Sequence, residues 1–137
     1  MERTFYNEAQ LREFAAEFGR GLKAGDVVGL SGALGSGKTT FVKAIVSARL
    51  EGDPATSPSF TFWHRYTGTP SIDHLDLYRV EDSRELAELG LEDAFDGSSI
   101  VLVEWSERAA DLLPPLDYEI VIEGKGDEAR RVNVRAR

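Results

Sequence analysis

The chain has no cysteine, one methionine, few Asn and Gln residues, and fewer cations than acids among its 137 residues. Without cysteine there is neither a disulfide framework nor a thiolate metal site. The scarcity of Asn and Gln is compatible with a thermophilic source. No apolar run approaches the roughly 20 residues that span a bilayer, so no membrane contact is expected. The opening "MERTFYNEAQLREF" lacks the apolar core of a secretory signal. Together these absences favour the cytoplasm. Sixteen Lys and Arg against 24 Asp and Glu give a formal charge of -8. Phosphate backbones are gripped mainly by Lys and Arg, so a chain this acidic should be a poor nucleic-acid binder by itself.

What is present suits one soluble domain over residues 1–137, with 42% hydrophobic and 29% charged residues. A first helix is expected from about Glu8 to Ala24. Asn7 caps it, Leu11, Phe14, Ala15, Phe18 and Leu22 form one apolar stripe, and Gly25 stops it. Val27 to Ser31 reads as a short apolar strand, and Lys38 to about Leu50 as a largely apolar helix. "SFTFWHRY" and "SIDHLDLYR" alternate as strands do, with "TGTP" as a hairpin turn between them. A helical segment opens near Asp82, capped by Asp82 with Glu85. "SIVLVEW" is another apolar strand, followed by a short helix at "SERAADLL" that Pro114 and Pro115 end. The tail closes as a hairpin around Gly124 to Asp127. Strands alternating with helices predict an α/β fold: a mixed, mainly parallel central sheet flanked by helices, with antiparallel hairpins.

Between the strand at Val27 and the helix at Lys38 lies "GALGSGKT", Gly32 to Thr39. It fits G-x-x-x-x-G-K-[ST] at every fixed position. Glycines let backbone N–H groups close around phosphate oxygens, and the helix start adds its dipole. Lys38 supplies a full charge near the β- and γ-phosphates, and the Thr39 hydroxyl can ligate Mg²⁺. Leu34, Gly35, Ser36, Gly37 and Thr40 complete the expected nucleotide cradle. A chance match in a glycine-rich turn is disfavoured by the strand before it and the helix after it.

Such a loop needs a carboxylate for its metal, usually at the end of a neighbouring apolar strand. Glu104 closes "IVLVE" and is expected on the magnesium, directly or through water. Asp76, in "HLDLYR", is expected as a second metal-side or water-positioning carboxylate. Ser57, Ser59 and Thr61 are hydroxyls where a segment sensing the γ-phosphate would sit, though a plain turn into a strand serves equally. His64 and His74 lack metal-ligand spacing and read as structural or surface residues. Trp63 and Trp105 read as core or interface aromatics. Arg79 is either a charge on the transferred phosphate or a surface cation. Seven carboxylates between Glu81 and Asp96 face one cation, Arg84, as a solvated helix face or as a docking surface for a basic partner.

The chain has no guanine-reading N-K-x-D, no LSGGQ signature and no arginine-bearing lid. The residues thus describe a minimal P-loop ATPase or nucleotide switch that acts on or through a partner. A small-molecule kinase and a non-hydrolysing, nucleotide-dependent interaction module stay open beside it.

"GALGSGKTTF", "SPSFTF", "HLDLYR", "ELGLEDAF" and "VLVEWSER", in this order and spacing, resemble the TsaE family, also called YjeE. The resemblance runs from the first helix to about Arg108, and the closing hairpin fits it too. It implies a bacterial ATPase needed for threonylcarbamoyladenosine formation at position 37 of tRNAs that read codons beginning with A. It further implies Mg-ATP as ligand and TsaB and TsaD as partners, with tRNA met only through the complex. TsaD would carry out the transfer, and TsaC or its relative would make the activated threonylcarbamoyl group. Hydrolysis, weak in the isolated subunit and stimulated by the partners, would reset the complex between turnovers. By the same resemblance Lys38 and Thr39 are the loop lysine and metal hydroxyl, Ser59 and Thr61 lie in a switch-like segment, and Asp76, Glu104 and Trp105 are site residues. The chain departs from the family pattern at Ala33, where an acid is more common, and at Ser36, Ser59 and Ser106. Ser59 keeps the hydroxyl usual there, whereas any contact made by an acid at position 33 is lost.

Overall fold

The computed structural model describes residues 1–50, 62–82, 84–88 and 90–137. They form one seven-stranded sheet in the order β1-β7-β6-β2-β5-β4-β3. The strands are β1 (Glu2–Phe5), β2 (Val27–Ser31), β3 (Trp63–Tyr66), β4 (Ile72–Asp76), β5 (Ile100–Glu104), β6 (Tyr118–Glu123) and β7 (Arg130–Ala136). The centre is parallel: β2 lies between β6 and β5, and β5 pairs on its other side with β4. Antiparallel β3 and β7 flank it, and β1 pairs antiparallel with β7. The fold is the mixed sheet with a parallel centre and antiparallel hairpins that the strand–helix alternation predicts. Among the described residues no helix is long and apolar enough to cross a membrane.

Helix α1 (Glu8–Arg20) begins where Asn7 accepts a bond from the Gln10 N–H at 2.9 Å. It ends at Gly21, before the expected Ala24, because the Asp26 side chain takes the Lys23 N–H and folds a turn there. Helix α2 (Lys38–Arg49) packs beside α1 on one sheet face. Their apolar residues meet Val28, Leu30, Ile72, Ile100, Leu102, Ile120 and Ile122 in one core. The other face carries Val27, Leu75, Val101 and Val103 under α3 (Arg84–Glu88) and two 3₁₀ turns, Leu91–Phe95 and Ser106–Ala109. Strand alternation sorts the two faces, so every residue of β5 is buried while successive side chains enter different cores.

Some expectations are corrected in detail. Strand β1 has no counterpart in the sequence reading, because four residues of which three are exposed carry too little pattern. The segment "SERAADLL" forms a 3₁₀ turn instead of a helix. The closing hairpin is where it is expected, with β6 and β7 joined through Gly124 to Ala129. In the acidic segment Leu86, Leu91 and Ala94 point inward, while Glu85, Glu88, Glu92 and Asp93 are exposed.

Candidate phosphate-binding site

The loop from Gly32 to Gly37 joins the carboxyl end of β2 to the amino end of α2. Gly32 has φ +147, and a Cβ there would fall 2.3 Å from the Ile122 carbonyl oxygen. Gly37, at the cap of α2, has φ +114, a left-handed value that disfavours any side chain. The loop is therefore pressed against β6 and turns sharply into the helix. Ser36 is fully buried in it, and among the described residues its hydroxyl has no partner.

Lys38 starts α2 and is only 4% exposed. Its Nζ donates to the carbonyls of Gly32 at 2.6 Å and Ala33 at 3.0 Å, and lies 4.1 Å from the centre of the Trp105 ring. Burial pushes the ammonium below its ordinary value of 10.5, while Glu104, Glu107 and Asp76 pull it back up. Thr39 Oγ1 donates to both Glu104 oxygens, at 2.9 and 3.2 Å. The loop hydroxyl and the strand-end carboxylate are thus side by side, as the sequence suggests.

Parallel pairing of β4 and β5 sets Asp76 opposite Glu104. Asp76 Oδ1 accepts from the Tyr78 N–H at 3.1 Å. Trp105 leaves β5 at φ 60, the one left-handed non-glycine residue among those described. Its backbone N–H is held by the Leu30 carbonyl at 2.9 Å, which fixes that turn against β2. Its ring meets Tyr78 at 5.1 Å and Arg108 at 5.3 Å. Leu34, Gly35, Gly37, Lys38, Thr39, Thr40, Asp76, Glu104 and Trp105 line one cavity of about 240 Å³. Ser59 and Thr61 lie outside the described residues.

A second cavity, of about 390 Å³, opens on the other side of the loop at Gly35, Gly37 and Thr40. Its walls are Phe5 to Glu8 with Leu11, and Gly126 to Glu128 with Arg130. Arg130 donates to the Ser36 carbonyl at 2.8 Å and the Gly35 carbonyl at 3.3 Å, propping the loop from the last strand. The sequence reading missed these walls, since nothing in "ERTFYN" or "DEAR" marks them as neighbours. Of the two alternatives for His74, structural or surface, the structure excludes the surface. His74 is buried, and its Nε2 is 2.5 Å from Glu104 Oε2.

The residues fit a magnesium nucleotide. Thr39 and Glu104 offer two adjacent hard oxygen donors. That suits Mg²⁺, which keeps waters and takes phosphate oxygens beside one or two protein ligands. The buried, unpartnered Ser36 hydroxyl and the left-handed glycines fit a loop that closes on phosphate oxygens.

Fold and site together define a class: a single-sheet α/β domain organised around a strand, a glycine-rich loop and a helix. Within that class the chain belongs to the TsaE family. The family model described as "Threonylcarbamoyl adenosine biosynthesis protein TsaE" matches residues 5–132. The protein called tRNA threonylcarbamoyladenosine biosynthesis protein TsaE in Bacillus subtilis is 39% identical over 115 residues, covering 83% of this chain and 72% of that one. The protein of the same name in Rickettsia bellii is 37% identical over 131 residues, covering 93% and 90%. The crystal structure of Bacillus subtilis YdiB superposes with a TM-score of 0.81 at 31% identity, covering 99% of this chain and 84% of that one. A role in tRNA threonylcarbamoyladenosine biosynthesis follows from the family.

Proposed function

We propose that this chain is a cytoplasmic, weak ATPase that binds and hydrolyses Mg-ATP as the energy-coupling subunit of tRNA threonylcarbamoyladenosine synthesis. It acts with TsaB and TsaD and meets tRNA only through them. The observation that carries the reading is the meeting of Lys38, Thr39 and Glu104 at one end of the parallel sheet, beside the glycine loop.

In this reading Lys38 and the loop N–H groups bind the phosphates, and Leu34 to Thr40 form their cradle. The larger cavity beside Thr40 takes the nucleoside. Magnesium, when bound, supplies charge that neutralises the phosphate oxygens. Thr39 and Glu104 would hold it, Asp76 would orient a water, and Trp105 would cover Lys38 and keep bulk water from it. Ser59 and Thr61 belong to the switch-like segment that responds to the terminal phosphate. At -8 the subunit is unsuited to grip tRNA directly, which favours action through partners.

The test is phosphate release from Mg-ATP by this chain alone and with its cognate TsaB–TsaD pair. Slow turnover alone that rises with the pair supports the coupling role. Turnover indifferent to the pair removes the partner-driven mechanism. Phosphoryl transfer to a metabolite without a partner would make the chain a kinase instead.

A further inference from the structure

Behind the Thr39–Glu104 pair stands a residue to which the reading above gives no task. His74 Nε2 lies 2.5 Å from Glu104 Oε2, and the two side chains are 9% and 3% exposed. A Glu104 that is to hold a cation must be ionised and can then only accept, which requires the proton on Nε2, the tautomer that the NMR arm below reads. Thr39 Oγ1 is nearer the other carboxylate oxygen, Oε1, at 2.9 Å, than Oε2, at 3.2 Å. The strands dictate this arrangement. In the β4–β5 register His74 pairs with Leu102 and Asp76 with Glu104, so His74 and Glu104 are diagonal neighbours on the α2 face. His64 lies opposite His74 on β3, their rings 6.3 Å apart, which backs the imidazole from the sheet edge.

We propose that His74 is the positioning residue of the metal carboxylate: its Nε2–H pins one Glu104 oxygen, and the other is thereby aimed at Thr39 and the cation. The proposal rests on the magnesium-nucleotide reading above. A glutamate has three rotatable bonds, and with both oxygens loose it would sample orientations that do not meet Thr39. A donor fixed on a β-strand removes that freedom before the metal arrives. Partners of this kind behind metal ligands are generally worth about 10- to 100-fold in metal affinity.

The test compares wild type with His74→Leu, which removes the donor, and His74→Gln, whose amide N–H reaches a similar place. Affinity for a fluorescent ADP analogue is titrated without metal and against Mg²⁺, beside a melting curve for each variant. Leu should raise the Mg²⁺ midpoint about 10- to 100-fold, leave metal-free affinity unchanged, and be largely rescued by Gln. An unmoved midpoint, equal loss with and without metal, or no rescue by Gln overturns the proposal. If the Leu variant does not fold, Gln and nitrogen NMR of the wild-type imidazole decide. A Gln midpoint close to wild type with a proton on Nε2 upholds the proposal, and a raised midpoint or a proton on Nδ1 overturns it. Wild-type affinity that ignores Mg²⁺ altogether sinks the magnesium reading, and the proposal with it. A midpoint unmoved in the variants against a responsive wild type sinks the proposal alone.

Discussion

Lys38→Met separates what the loop lysine does for the nucleotide from what it does for the resting fold. In the fold Lys38 is 4% exposed, and its ammonium is held by two carbonyls and the face of Trp105. Its proton affinity is nevertheless lowered, with burial the largest cause, so desolvation outweighs the nearby carboxylates. Methionine keeps the length and drops both the charge and its desolvation penalty. Replacing a buried charge with an apolar residue of similar volume is often neutral or stabilising. The expected change is within about 1 kcal/mol, which is about 3 to 4 °C in melting temperature for a chain of this length. Nucleotide affinity should behave oppositely. Loss of one charge-assisted bond to phosphate, about 1.5 to 3 kcal/mol, weakens ADP binding roughly 10- to 150-fold. Melting by circular dichroism and titration with a fluorescent ADP analogue read the two arms separately. A fall beyond about 7 °C would show that the lysine holds the resting fold together. Wild-type ADP affinity in the variant would refute the loop assignment.

Glu104→Gln keeps groups that can bond to Thr39 and His74 but loses the charge. Metal-free nucleotide affinity should survive while magnesium-dependent phosphate release falls about 100-fold, and release that persists moves the metal role to Asp76. Asp73→Ala tests stability away from the site. Its fully buried carboxylate accepts from Trp63 Nε1, from Arg65 Nε and Nη2, and from Ser99 Oγ, all within 3.0 Å. Arg65 can turn to water, but Trp63 and Ser99 lose a buried partner, so about 3 kcal/mol and roughly 10 °C should be lost. A loss under about 1 kcal/mol would mean that the donors find other partners.

The local parts of the site were legible because they are local. The strand at Val27, the loop at Gly32 and the helix at Lys38 are contiguous, and each element has its own periodicity. Glu104 could be picked out because an acid at the end of four apolar residues needs a reason to be there. His74 could not, since its contact with Glu104 spans 30 positions and depends on how β4 registers against β5. Short β1 and the supporting Arg130 escaped for the same reason: both matter only once the ends of the chain meet across β1 and β7. The acidic segment from Glu81 to Asp96 is a solvated face over a buried stripe in the structure, which its alternation of acid and leucine already suggested.

The larger cavity is walled on one side by residues 5–8 and on the other by residues 126–130. A ribosome that has released the glycine loop has therefore produced one side of this cavity long before the wall opposite it exists. Until the last hairpin leaves the exit tunnel, β1 has no strand to pair with and the loop has no arginine propping its carbonyls. A fragment cut short before Gly126 keeps the glycine loop and the cavity at Lys38, Thr39 and Glu104 in sequence, but lacks one wall of the larger cavity.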